Sequence, residues 1–347
     1  MIAGSLFSGI GGLDKGLEEA GFEVLFQCEK DEYRRKVLNE RFKKTKIFED
    51  VSQISCRKSE SGSNSFRFYW TEKRRGKTGS GISGSIDLLC GGFPCQDLSV
   101  AGKRAGLAGE RSGLFFEFAR IADESIKDDG FILIENVPGL FSSNKGEDFT
   151  IVLKTLSECG FNDIAWRVLN SQYFGVPQRR RRVFILGRRA RGRSCGEILF
   201  EPESGDWNFK ANEKTWQKDS SAALTGLGTG GPDDNDAQNG RLVSTSQAHK
   251  NGYRLDADSI EQFVAGPLTN RYYKGINTTV DDGAAIVEQI GVRRLTPIEC
   301  ERLQGFPDNW TLVKGASDTK RYAAIGDAVT VPVAKWIGRR ILKYANS

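Results

Sequence analysis

A single histidine, His249, serves the whole 347-residue chain, and none of the seven cysteines forms a Cys-x-x-Cys pair. These scarcities argue against the common structural zinc sites. They also leave triad chemistry without its base unless His249, in a Ser/Gln/Lys/Asn-rich stretch, supplies one. No apolar run is long enough to span a bilayer, and the amino terminus lacks the basic, apolar and small-residue succession of a secretory signal. The chain is therefore expected to be cytoplasmic, with its odd number of cysteines reduced. A dominant charge of one sign is missing too. A net +5 is a weak global argument for a polyanionic partner. What remains is an ordinary globular composition, 38% hydrophobic and 27% charged, in a chain with room for two domains.

The charge that is present comes in clusters. Arg179 to Arg182 are consecutive, Arg188, Arg189, Arg191 and Arg193 follow, and Lys73, Arg74, Arg75 and Lys77 form a third group. Each cluster reads either as a phosphate-binding surface or as a solvated edge.

The amino-terminal half alternates strands with helices. Ile2 to Phe7 is a short apolar strand that enters the turn Ser8-Gly9-Ile10-Gly11-Gly12. Residues 13–20 carry helix spacing, with Leu13, Leu17 and Ala20 on one face and Gly21 as the stop. A second strand from Phe22 to Gln27 leads to Glu29. Further buried strands are predicted at 86–90, 131–134 and 183–186, and helices at 114–127 and 147–159. This rhythm predicts a doubly wound, mostly parallel α/β sheet. Two regions break it. Residues 56–85, rich in Ser, Gly, Lys and Arg around Phe66-Arg67-Phe68-Tyr69-Trp70, read as an inserted hairpin. Residues 189–290 lose the rhythm and gain Gly, Asn, Asp and Thr, the mark of a second, smaller, strand-and-loop domain. Inside it, Leu224-Thr225 through Leu242-Val243 is echoed by Leu268-Thr269 through Ile286-Val287, which suggests two similar hairpin-like units. Order returns at Arg293, and a closing helix is predicted from Val333 to Tyr344.

The first turn points to a nucleotide-like ligand, because glycines let the backbone approach closely and the following helix start offers free N–H groups. The dinucleotide fingerprint wants a third glycine where this chain has Asp14, which counts against NAD or FAD. With Phe7 and Gly12 included, the pattern is Phe-x-Gly-x-Gly-Gly, which resembles the S-adenosylmethionine turn of methyltransferases. Glu29, at the end of the second strand, suits a pair of ribose hydroxyls. Asp50, where a third strand would end, suits an adenine amino group. The plainer reading of either acid is a helix N-cap.

The second site is marked by Asp87-Leu88-Leu89-Cys90-Gly91-Gly92-Phe93-Pro94-Cys95-Gln96, an apolar run that ends in Pro-Cys. In open α/β sheets ligands lie beyond the carboxyl ends of the strands, and Pro94 restricts both itself and Phe93. Cys95 is thus presented at a site rather than packed. Glu135 ends the apolar strand Phe131 to Ile134, and Arg180 and Arg182 alternate on an extended segment, so that they would share a face.

Taken together, Phe7–Gly12, Pro94-Cys95-Gln96, Glu135-Asn136-Val137, Gln178 to Arg182 and Gly326 to Val329 occur in the order seen in DNA cytosine-5 methyltransferases, and the chain resembles that family over most of its length. The resemblance implies a Rossmann-like catalytic domain over 1–188 carrying the 56–85 insertion, a target-recognition domain over 189–290, and a segment 291–347 that completes the catalytic domain. It implies methyl transfer from S-adenosylmethionine to carbon 5 of a flipped-out cytosine in a short duplex sequence. Cys95 would be the nucleophile, and Glu135 the acid at ring nitrogen 3. Arg180 and Arg182 would contact the base and the surroundings of the thiol. Cofactor contacts are implied for Phe7, Ser8, Gly9, Gly11, Gly12, Leu13, Glu29, Asp50, Val51, Pro94, Leu114, Asp327, Ala328 and Val329, and DNA contacts for Gln96, Ser99, Lys103, Arg104, Arg111 and Gln178. Residues 96–113, punctuated by Gly102, Gly106, Gly109 and Gly113, look like a loop that closes over the flipped base.

No metal is implied. The expected partner is double-stranded DNA and the expected state a monomer, of bacterial or phage restriction-modification or orphan type, with a restriction endonuclease as a genetic partner. Asp327 departs from the family's Gly-Asn, since it loses an amide donor and adds a charge. An RNA cytosine methyltransferase and a non-catalytic DNA-binding relative are the competing readings. The long 189–290 region favours DNA, and intact Cys95, Glu135 and Arg182 favour an enzyme.

Overall fold

The computed structural model describes residues 1–58, 66–72, 77–78, 82–94, 113–189, 195–200, 285–288 and 291–345. The chain divides into two compact units. One comprises 1–169, 181–204 and 333–347, and the other 170–180 and 205–332.

The first unit opens with β1 (Ile2–Leu6), α1 (Gly12–Ala20), β2 (Glu23–Cys28), α2 (Glu32–Arg41) and β3 (Lys46–Phe48). The insertion follows as β4 (Ile54–Lys58), β5 (Phe66–Glu72), β6 (Lys77–Thr78) and β7 (Ile82–Gly84). Instead of the expected single hairpin, β5 pairs antiparallel with each of the other three strands. The unit continues with β8 (Ile86–Gly91), α3 (Leu114–Ser125), β9 (Ile126–Asn136), α4 (Glu147–Glu158), β10 (Asp163–Asn170), β11 (Arg181–Arg188) and α5 (Cys195–Leu199).

Seven strands form the main sheet in the order β10-β11-β9-β8-β1-β2-β3. The pairs from β9 across to β3 are parallel, and β11 runs antiparallel to β9. The parallel centre is apolar on both faces, as a sheet covered by helices requires: Leu6, Phe26, Leu88, Leu89, Ile132 and Ile134 are all fully buried. This places the carboxyl ends of β1, β8 and β9 side by side. Arg120 of α3 reaches toward the insertion, donating to the carbonyl of Ile54 at 2.8 Å and to Glu117 and Glu124, while Glu124 accepts the Cys56 N–H.

The closing helix, α8 (Val331–Ala345), contributes its residues from Val333 onward to this unit. Gly338 lies so close to α1 that an added Cβ would stand 2.8 Å from that of Ala20. Lys335 pairs with Glu19 at 2.8 Å.

The described part of the second unit contains the hairpin β12 (Ala285–Glu288) and β13 (Gly291–Arg294), then α6 (Pro297–Leu303) and α7 (Asp318–Asp327). Thr296 and Glu299 form a reciprocal capping box at the start of α6. Buried Glu301 pairs with Arg321 at 3.1 Å and accepts the Thr311 N–H at 2.8 Å.

Candidate active site

The cofactor turn is built from backbone conformations that side chains disfavour. Phe7, Gly9 and Gly11 have φ of 55°, 58° and 86°, the left-handed region where a non-glycine residue such as Phe7 is strained. A Cβ on Gly11 would strike the Phe42 ring at 2.5 Å, whereas one on Gly9 would meet nothing within 4 Å. Gly9 therefore bounds open space over the turn, a cradle for the edge of a ligand.

Glu29 fastens the turn from beside it. Its two oxygens accept the Gly9 N–H at 2.8 Å and the Asp31 N–H at 2.9 Å. Asp31, not Glu29, caps α2. Each carboxylate oxygen keeps a second acceptor position for a hydroxyl. Asp50 does act as a cap, accepting the Ser52 N–H at 2.9 Å at the head of a short 3-10 turn. Ser8, Leu13 and Val51 are buried, Leu114 is half-buried and Pro94 is exposed.

Two strands away, Glu135 at the end of β9 meets Arg182 at the start of β11, with Nε 3.1 Å from Oε1. Gly92 makes room for this carboxylate: a Cβ there would lie 2.8 Å from Glu135 Oε2. Asn136 ties the same strand end to the Pro-Cys segment. Its amide donates to the Phe93 carbonyl at 3.0 Å while its Oδ1 accepts the Val137 N–H at 2.8 Å, and the Phe93 ring packs 4.9 Å from that of Phe115. The positioning roles of Gly92 and Asn136 went unread in the sequence, although an amide beside Glu135 at a strand end was the available signal.

Cys95, Gln96, Ser99, Lys103, Arg104 and Arg111 lie outside the described residues, as do His249, Lys73 to Arg75 and most of the 224–243 and 268–287 segments. The six described cysteines are free thiols. Burial pushes Cys56 up to about 12 and raises Cys28, Cys90, Cys195 and Cys300 as well, which makes these five poor nucleophiles.

Two expectations need correction. Gln178 is not a DNA contact, because it is fully buried in the second unit and donates to the Leu303 carbonyl at 3.0 Å. Arg180 is 1% exposed, and it holds the Gly326 and Ala328 carbonyls at 2.9 Å each. It thus fixes the end of α7 rather than presenting its guanidinium to a base. Of the arginine cluster, Arg189 is held by the Cys159 and Ile126 carbonyls and lies over Phe161, while Arg188 lies over Phe131. Both side chains are half-buried and anchored to the fold by these contacts. Within the second unit Asp327 is exposed, Ala328 is buried and Val329 half-buried.

A twisted, mostly parallel sheet with a glycine turn after its first strand and acidic residues at neighbouring strand ends defines an S-adenosylmethionine-dependent methyltransferase fold. Solved structures agree on that fold. The S. pombe Dnmt2 methyltransferase aligns over the full length of both chains with a TM-score of 0.62 at 18% identity, and a putative DNA modification methyltransferase encoded within an E. coli prophage does so at 0.56 and 20%. The sequence profile of the C-5 cytosine-specific DNA methylases matches residues 1–343, and the chain belongs to that family. It is 30% identical to the Type II methyltransferase M.NgoBI of Neisseria gonorrhoeae over 94% of this chain and 89% of that protein. It is 29% identical to the Type II methyltransferase M2.BsuMI of Bacillus subtilis over 99% and 76%. Its reaction is methylation of cytosine carbon 5 in DNA. Among the described residues no cluster of metal-ligating side chains is present and no helix is long and apolar enough to cross a membrane.

Proposed function

We propose that the chain methylates one cytosine within a short duplex sequence through a covalent adduct on Cys95, with Glu135 and Arg182 activating the ring. Carbon 5 of cytosine is too weak a nucleophile to attack a methyl sulfonium unaided. Addition of the Cys95 thiolate to carbon 6 pushes electron density toward ring nitrogen 3, where Glu135 supplies the proton. Arg182 holds the Glu135 carboxyl in place and donates toward the ring carbonyl. The Phe7–Gly12 turn, Glu29 and Asp50 would hold S-adenosylmethionine, which would supply the methyl group for carbon 5 and leave as S-adenosylhomocysteine. Loss of the carbon 5 proton to a base then expels the Cys95 thiolate, nitrogen 3 returns its proton to Glu135, and the aromatic ring is restored.

The observation that carries this reading is the Glu135–Arg182 pair, seated against Gly92 three residues before Cys95. Burial holds Cys28, Cys56, Cys90, Cys195 and Cys300 in their thiol form, whereas Cys95 directly follows Pro94, which is exposed. Both faces and the edge of the ring must be reached, so the base has to leave the stack, with residues 96–113 closing over it and Lys103, Arg104 and Arg111 on phosphates. We assign target readout to residues 189–290 and cofactor contact to Asp327–Val329. We also propose a cytoplasmic monomer that modifies host DNA alongside a restriction endonuclease.

Bisulfite sequencing of a methylation-free bacterial host expressing the protein or its Cys95→Ala variant tests the scheme. Methylated cytosines in one motif, absent with the variant, are expected. Methylation that persists with Cys95→Ala would refute the adduct.

A further inference from the structure

Asp14, the residue that breaks the dinucleotide fingerprint, is 0% exposed on the first turn of α1. Its carboxyl turns inward against the sheet, where its neighbours are Ser5 of β1, Gln27 of β2 and Cys90 of β8. These three are themselves 1%, 0% and 0% exposed. Ser5 and Gln27 ease the charge, yet neither Asp14 oxygen has a hydrogen bond of normal geometry. Ser5 Oγ lies 2.9 Å from Ser8 Oγ, which accepts the Cys28 N–H at 3.3 Å. A buried line of polar atoms thus runs from Asp14 to the residue before Gly9. Loss of water is the largest influence on Asp14 and raises it to about 6, with Glu18 one turn along adding repulsion. The other charges around this corner are Lys15, which offsets Glu18, and Glu29 on the Gly9 N–H.

We propose that Asp14 is the group by which this protein distinguishes the charged methyl donor from its uncharged product. The inference rests on the reading that the donor occupies the Phe7–Gly12 turn. Methyl transfer turns the donor's sulfonium into a neutral thioether, so the two ligands differ by one positive charge and one methyl group. A fully buried carboxylate whose oxygens lack hydrogen bonds of good geometry has a field that is poorly compensated, and an opposite charge reaching the turn feels it through an interior of low dielectric. Protonating Asp14 removes that field and with it the preference. By linkage, donor binding must pull a proton off Asp14, and product binding must not.

The test is calorimetric titration of the wild-type protein and Asp14→Asn with S-adenosylmethionine and with S-adenosylhomocysteine between pH 5 and 8. In the wild type the ratio of product to donor dissociation constants is expected to rise about fivefold across this range, with its midpoint near pH 6. In Asp14→Asn it stays at the low-pH value. At pH 6, buffers of different ionisation enthalpy should reveal proton release on donor binding by the wild type only. A wild-type ratio that is flat with pH, or one that Asp14→Asn leaves unchanged, overturns the proposal. A merely structural role would move both affinities together and leave the ratio constant. If the wild type bound neither ligand, the assignment of the turn would fall, and this inference with it.

Discussion

The cofactor turn and the Glu135 corner lie two strands apart at the carboxyl ends of one sheet, but they are held in opposite ways. The turn is fixed by backbone: three consecutive odd-numbered positions with positive φ, peptide N–H groups on Glu29, and a buried acid behind it. Its tolerance to substitution is set by torsion and burial. The Glu135 corner is fixed by side chains, an ion pair and an amide that can each be removed without moving the strands. The lesson is that damage at the turn should register in stability and cofactor affinity, whereas damage at the corner should register in turnover.

Four substitutions sharpen or break that contrast. Glu135→Gln keeps shape and loses the acid, so kcat should fall about a thousandfold, with donor affinity by calorimetry unchanged. A parallel loss of donor affinity would erase the distinction.

Asp14→Asn should act on stability in the opposite sense to most buried replacements. The folded state holds the Asp14 proton up to about pH 6, against an ordinary value of 3.8. Between those values the folded protein binds more protons than the unfolded chain, so stability falls as pH rises. Above pH 6 the penalty is complete, about 3 kcal/mol at 1.36 kcal/mol per pH unit. Denaturant unfolding at pH 7.5 should show the variant more stable by up to that amount, and at pH 4 no more stable than the wild type.

Gly11→Ala combines a φ of 86° with a clash on Phe42 and should cost about 2 kcal/mol of stability, seen as a lower Tm. Gly92→Ala is the smallest change. Its Cβ displaces Glu135 Oε2 rather than backbone, so kcat should drop about tenfold with Tm nearly unmoved. A large Tm loss would mean that the corner is as backbone-bound as the turn.

Much of this was legible in the sequence because periodicity reports burial. The apolar strands at 86–90, 131–134 and 183–186 fall inside observed strands, the turn at Phe7–Gly12 joins β1 to α1, and Glu135 and Arg182, both singled out by residue type, lie 3.1 Å apart. What local pattern cannot report is which side chains a distant segment will cover. Gln178 and Arg180 read as surface in an arginine run, and only packing by residues more than a hundred positions later buries them. Asp14 read as a missing glycine, and an acid in a first helical turn is ordinarily a solvated complement to the helix dipole. The edge strand β10 and the antiparallel direction of β11 were equally hidden, because strand direction is a property of connections and not of composition.

The seating of α8 on α1 also governs how the protein is made. Lys335 and Glu19 are 316 positions apart. At ordinary translation rates the helix behind the cofactor turn waits roughly 15 to 60 s for its partner to emerge from the ribosome. Until Gly338 arrives, Leu17 and Phe22 lack one of their packing surfaces, so the helix behind the cofactor turn gains its full packing only once α8 has been synthesised.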